Sequence, residues 1–231
     1  MPRKSRSGPP EKRHPPNVRQ VLAVSSGKGG VGKSSVSANL ALALLNHQPE
    51  NLKRPLRVGL LDLDIFGPSV PKLMGLDRSG QALHTEAGAL LPLTNHNLPT
   101  MSMTYLLPEE QSRGPVVWRG MMVQKAVQQL LFHTDWRRSA TESSSSESGD
   151  DVSPADGSDG LDLLVIDTPP GTGDVHLTLT QLVKIDAAIV VSTPQEVALE
   201  DTRKGVEMFR KVGLEVGGSR MHGGLLRHLP C

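Results

Sequence analysis

The 231-residue sequence predicts an α/β fold, a mainly parallel central sheet with helices on both faces. Three observations predict it. Short aliphatic runs alternate along the chain with stretches of helix length, the order that produces parallel strands joined by crossover helices. The length suffices for one domain with a substantial buried core. With 37% apolar residues and only 3% aromatic ones, that core is expected to be built from Val, Leu, Ile and Ala.

The elements follow in order. "QVLAVSS" (20–26) is a short apolar run that enters a glycine-rich loop, which predicts a buried strand. "SSVSANLALALLNH" (34–47) carries apolar residues at 36, 40, 44 and 45 with good helix formers between, which predicts a helix. "PLRVGLLDLD" (55–64) is a second strand ending in carboxylates, Asp62 and Asp64. "GALLPL" (88–93) and "LPTMSMTYLL" (98–107) read as short strands or loop pieces, and 115–136 contains a helix from about Gly120. "LDLLVIDTPPG" (161–171) is a third buried strand, ending at Asp167. "DAAIVVST" (186–193) is a fourth, and 196–212 a helix after it. After position 212 the pattern stops, and the sheet is expected to lack its C-terminal strands.

Charge is segregated. Residues 139–160 hold six acids and no base, so the remainder of a chain of net charge +1 carries +7. That Ser/Asp/Gly tract has too little apolar surface to offset chain entropy and predicts a disordered insertion. Residues 1–19 carry six Lys/Arg against one Glu and read as a disordered basic arm, its prolines opposing the amphipathic helix of a transit peptide. The domain expectation is thus 1–19 arm, 20–212 core domain, 213–231 atypical tail. No apolar run reaches the eighteen or so residues of a membrane span, so no membrane insertion is expected. The one cysteine, Cys231, leaves no pair for a disulfide or a metal.

Chemistry concentrates in "GKGGVGKSS" (27–35), which fits G-x-x-x-x-G-K-[ST] between a strand and a helix. Gly27, Lys28, Gly29, Gly30, Val31, Gly32, Lys33, Ser34 and Ser35 would wrap a polyphosphate with inward backbone N–H groups, aided by the helix N-terminus. Lys33 would reach the β and γ phosphates, and the Ser34 hydroxyl would ligate Mg²⁺. Asp62 and Asp64 end a strand at the edge where such sheets bind ligands. One can hold a magnesium-bound water and the other orient the attacking water; taken alone, they fit a pair of solvated turn residues better. Asp167 is the expected carboxylate behind Mg²⁺. "TPPGTGD" after it fits a phosphate-sensing loop and equally a tight strand-to-helix turn with Asp174 as N-cap. Trp118, Met101 and Met103 read as core.

Together these motifs resemble the deviant-Walker ATPases, which carry the extra loop lysine, Lys28, and include ParA and MinD partition proteins and the nitrogenase iron protein. "DLDIFGPSVPKLMGL", "MSMTYLL", "VVWRGMMV", "DTPPGTGDVHLTLTQ" and "VVSTPQEVALEDTRKGVEMFRKV" narrow the resemblance to the Mrp/ApbC/NUBPL group, over residues 18–212 apart from the acidic insertion. The resemblance implies a three-layer P-loop NTPase fold and a homodimer that sandwiches two ATP molecules, with Lys28 reaching the partner's phosphates. It implies ATP hydrolysis, with Lys28, Lys33, Asp62, Asp64 and Asp167 as catalytic residues and Ser34, Asp62 and Asp167 around Mg²⁺. It further implies a [4Fe–4S] cluster delivered to apo iron–sulfur proteins, for NUBPL-like members in the mitochondrial matrix toward respiratory complex I; a cytoplasmic location is the alternative.

The resemblance fails at the end. The family continues past 212 with a strand, an adenine-holding asparagine and a C-P-x-C motif, and "GLEVGGSRMHGGLLRHLPC" has neither the asparagine nor the cysteine pair. A truncated product that binds ATP but cannot hold a cluster is therefore the alternative function, with a ParA/MinD-like partition ATPase a further one. The short, weakly basic tail argues against nucleic-acid or membrane partners.

Overall fold

The computed structural model describes residues 12–64, 67, 69–77, 79–106, 120–137, 159–171, 173–211 and 216–221. Seven strands form one sheet: β1 (Val18–Ser26), β2 (Val58–Asp62), β3 (Leu93–Asn95), β4 (Leu98–Ser102), β5 (Leu161–Asp167), β6 (Ala187–Ser192) and β7 (Val216–Met221). Their order is β3-β4-β2-β5-β1-β6-β7. Every neighbouring pair is parallel except β3–β4, a hairpin. His96 and Asn97 turn that hairpin with φ of 52° and 59°, as a two-residue loop between right-twisted strands demands.

The central strands are apolar on both faces because both are covered. All five residues of β2 are buried, and so are six of the seven in β5, a continuous run rather than an alternation. Five helices are present among the described residues: α1 (Lys33–Leu45), α2 (Val70–Leu73), α3 (Gly120–Phe132), α4 (Asp174–Leu182) and α5 (Glu196–Lys211). α1 packs on β1, β2, β4, β5 and β6, and its buried Ala38 and Ala41 let it lie close. α5 buries Ala198, Thr202, Gly205, Val206 and Phe209 as one stripe against β1, β6 and β7. Glu196 in its first turn and Arg210 and Lys211 in its last complement its dipole. The core is aliphatic, as the composition requires, with Tyr105, Trp136 and Phe209 as its large aromatics. Met101 and Met103 belong to it.

Four expectations are corrected. The sheet does not stop at β6: Val216–Met221 adds a seventh strand parallel to it, with a register shift between Ala188 and Ile189. The glycine-rich VGGSRM gives no strand signal of its own, and pairing with the β6 backbone supplies what propensity does not. Residues 12–19 of the basic arm join the fold. Arg13 exchanges backbone hydrogen bonds with Leu182 and Lys184, its guanidinium lies 4.6 Å from the Phe132 ring centroid, and His14 pairs with Asp186 at 2.9 Å. β2 ends at Asp62, so Asp64 lies beyond the strand. The residue capping α4 is Gly173, and Asp174 is the first helical residue. Trp118, Cys231 and the insertion up to 158 lie outside the described residues. No helix among those described is long and apolar enough to cross a membrane.

Candidate functional site

The topology brings the predicted residues to one place. β1, β2 and β5 are adjacent and parallel, so their C-terminal ends deliver the 26–33 loop, Asp62 and Asp167 side by side. Asp62 and Asp167 stand directly opposite in the β2–β5 register.

The loop is shaped by its glycines. Gly30 and Gly32 hold φ of 78° and 84°, the left-handed region that side chains resist. A Cβ on Gly27 would stand 2.6 Å from the Cα-linked carbon atoms of Asp201 and 2.8 Å from the Thr202 nitrogen, because α5 presses on the start of the loop. On Gly29 or Gly30 it would meet nothing within 4 Å, so the loop's outer rim is open. Ser26 Oγ donates to the Lys28 carbonyl at 2.9 Å, closing the loop's first turn. α1 begins at Lys33 with no side-chain cap and no acid in its first turn, which leaves its first N–H groups for an anion. Lys28 is half-buried, and Ser34 likewise, while Ser35 is exposed and Val31 is buried as the loop's apolar anchor.

Beneath the loop lies a buried charge cluster. Lys33 Nζ donates to Asp167 Oδ1 at 2.7 Å and to Ser34 Oγ at 3.3 Å. The Lys33 side chain is 6% exposed and that of Asp167 0%. Ser37 Oγ donates to the same Oδ1 at 2.7 Å, whereas Asp167 Oδ2 is buried with no hydrogen-bond partner among the described residues. Asp62 accepts backbone N–H bonds from Asp64 and Val70 at 2.9 and 3.2 Å. Burial, then the charge of Asp167, pushes its carboxyl up to about 7.

Four contributors went unnoticed in the sequence. Ser37 lies one turn after Lys33 and so faces the same side of α1. Ser25, one residue ahead of the strand's last position, is 3.1 Å from Nε2 of His176 on α4, a buried contact between β1 and the segment after Asp167. Burial first and the Lys33 charge second push His176 down to about 4, so its ring is neutral at pH 7. Asp201 supplies the surface that makes Gly27 obligatory. The Gly-Asp-Val-His run beside the 168–173 loop was the available signal for His176. A glycine loop with Lys28 and Lys33, leading into an uncapped helix N-terminus beside paired carboxylates, is suited to a polyanion with a divalent cation.

Residues 17–139 and 157–219 match the family described as ParA, the NUBPL iron-transfer P-loop NTPases. The chain belongs to this family. It is 42% identical over 211 residues to the iron–sulfur cluster transfer protein NUBPL of Mus musculus, covering 91% of this chain and 56% of that one. It is 40% identical over 201 residues to the Arabidopsis thaliana iron–sulfur protein required for NADH dehydrogenase, mitochondrial, covering 87% and 54%. Among solved structures, the Archaeoglobus fulgidus nucleotide-binding protein in complex with ADP is similar with a TM-score of 0.62 and 29% identity, over 88% of this chain and 66% of that one. The NUBPL-family chain described here thus spans about half the length of the curated relatives it matches. Its mostly parallel α/β sheet is the fold that family membership implies.

Proposed function

We propose that this chain is the nucleotide-driven part of an iron–sulfur cluster carrier, a homodimer that hydrolyses ATP slowly and hands [4Fe–4S] clusters to apo iron–sulfur proteins. Family membership and the relatives' descriptions support the carrier role. The observation that carries the nucleotide role is the buried Lys33–Asp167–Asp62 cluster under an open glycine loop. Residues 27–35 wrap the polyphosphate, Lys33 exchanges its bond to Asp167 for phosphate oxygens, and Lys28 reaches the partner copy's phosphates. Asp64 orients the attacking water.

Ser34 would hold Mg²⁺, with Asp62 and Asp167 around it, and the ion would neutralise developing phosphate charge. The residues fit this ion. Asp167 Oδ2 has an open acceptor position that a metal-bound water satisfies, and Asp62 is ready to ionise beside a cation. The clients of such a carrier include subunits of respiratory complex I in the mitochondrial matrix, a reading supported by the description of the Arabidopsis relative.

The cluster is cargo, and its thiolates are not all here. Each copy holds one cysteine, so a homodimer offers two thiolates against the four ligands a [4Fe–4S] cluster takes. That count favours a second reading, in which residues 1–231 bind ATP without holding a cluster. Titration with a fluorescent ATP analogue and Mg²⁺ tests the shared part: Lys33→Ala should lose most affinity, and unchanged binding would sink the assignment. Lys28→Ala should keep monomer binding but lose ATP-driven dimers in sedimentation. Anaerobic reconstitution with iron and sulfide separates the readings. ATP-sensitive visible absorbance near one cluster per dimer supports the carrier, and its absence supports the second reading.

A further inference from the structure

His176 is a buried titratable group that the nucleotide chemistry leaves unused. It stands in the first turn of α4 and is fully buried, in a place that an aliphatic side chain would fill at lower cost. Nε2 lies 3.1 Å from Ser25 Oγ, and Nδ1 is buried with no partner among the described residues. Phe209 of α5 meets the ring edge-on, with the centroids 6.5 Å apart and the planes at 62°. A polar ring half satisfied in an aliphatic core asks for a reason other than packing.

Its partner supplies one. Ser25 and Ser26 are the last two residues of β1. Ser26 Oγ closes the first turn of the glycine loop on the Lys28 carbonyl, and the Ser26 carbonyl accepts the Gly171 N–H at 2.9 Å. Val24, just before the pair, accepts both the N–H and the hydroxyl of Thr168 at 3.0 and 3.1 Å. The segment that follows Asp167 is thus tied to β1 at 168 and 171 through carbonyls of the strand, and at 176 through two side chains. Between the last two ties Gly171 holds a φ of 83°, a turn that leaves the direction of the chain to whatever anchors α4.

We propose that His176 is a positioning residue for nucleotide hydrolysis: by pinning the first turn of α4 to Ser25, it holds residues 168–171 against the strand that delivers the glycine loop. The inference rests on the nucleotide reading above. With no exposed surface, His176 does not touch nucleotide itself and acts through the segment ahead of it. Without the pin that segment takes other placements beside Asp167, and the reacting groups lose a fixed neighbour. The glycine loop still grips the polyphosphate, so rate falls and affinity does not; misplacements of about 1 Å are enough to slow chemistry severely.

Steady-state ATP hydrolysis by the full chain with Mg²⁺, alongside titration with a fluorescent ATP analogue, tests this. His176→Leu and Ser25→Ala should each lower kcat on the order of tenfold, with KM and analogue affinity within about twofold of the parent. The two substitutions together should be no slower than His176→Leu alone. A glutamine amide reaches the ε position that Nε2 occupies, and an asparagine amide stops at δ. His176→Gln should therefore regain most of kcat, and His176→Asn should not; a merely structural role would not separate two amides placed in the same core. Melting curves establish that each variant folds, and Ser25→Ala, the loss of one oxygen, carries the test if His176→Leu does not. Parental kcat in His176→Leu or Ser25→Ala, equal losses in the Gln and Asn variants, or a loss confined to KM overturns the proposal and leaves the nucleotide reading standing. So does a parent chain that binds the analogue without turning ATP over. A parent chain that binds no analogue overturns that reading, and this proposal with it.

Discussion

Replacing Lys33 by Met should destabilise the protein even where no nucleotide is involved. The Lys33 side chain is 6% exposed, the carboxylate it meets at 2.7 Å is fully buried, and among the described residues only Ser37 Oγ also donates to that carboxylate. Methionine keeps the length and apolar stem of lysine but leaves Asp167 with one hydrogen bond and no counter-charge. Removing one partner of a buried ion pair costs on the order of 3–5 kcal/mol, more than the pair itself contributes, because the other charge stays buried. The neighbouring Asp62 cannot help, and the remaining Ser37 bond sets the expectation at the low end, about 3 kcal/mol. For a chain of this size that is a fall in Tm of roughly 6–12 °C. Urea denaturation followed by circular dichroism at pH 7 measures it. The control is Lys33→Met with Asp167→Asn, which removes the orphaned charge and should regain at least half of the loss. A single variant within about 1 kcal/mol of the parent would refute the reasoning, and so would a double variant no more stable than the single.

Gly27→Ala should cost about 1–3 kcal/mol by overpacking against the Asp201 backbone, while Gly29→Ala, with nothing near its Cβ, should be close to neutral; equal thermal shifts would contradict the contact with α5. His176 titrates at about 4 in the fold against an ordinary 6.5. Its neutral ring therefore contributes stability that is complete above pH 6.5 and lost as pH falls toward 4; in His176→Gln that part of the pH–stability slope should vanish, and parallel curves would exclude it. Asp62 is raised from 3.8 to about 7, so its contribution is complete below pH 3.8 and lost as pH rises through 7. Asp62→Asn, which keeps one acceptor oxygen and so one of the bonds from the Asp64 and Val70 N–H groups, is less stable by a fixed amount but should gain on the parent protein between pH 5 and pH 8; a constant difference would count against the shift.

The strands that carry the site were legible because each is a run of buried aliphatics ending in a distinctive residue. β1 runs into glycines, β2 ends on Asp62 and β5 on Asp167, and parallel order alone sets those ends side by side. Legibility failed where the sheet backbone, rather than side-chain pattern, forms the element. β7 has two glycines and an arginine in six residues and exists by pairing with β6. α2 is four residues with a proline in its first turn, below the length at which periodicity can speak. Within the site, residues inside the loop motif, Ser34 among them, or at a strand's end announced themselves, and those outside both did not. Ser37 is one serine among several in α1, and nothing local marks it as the second donor to Asp167. The His176–Ser25 contact joins residues 151 apart in sequence, a distance over which no spacing rule operates.

The contact between Gly27 and Asp201 fixes the start of the glycine loop to the body of α5. Asp201 is the sixth of its sixteen residues, so the contact divides the helix into a short arm of about 8 Å and a long arm of about 15 Å. The loop cannot shift toward the helix there without moving Asp201, since a single added carbon on Gly27 would already lie 2.6 Å from it. The helix as a whole packs on β1, β6 and β7, the last two at the sheet's margin. With no side chain at Gly27 to cushion the contact, backbone bears on backbone, and slack at the joint is small.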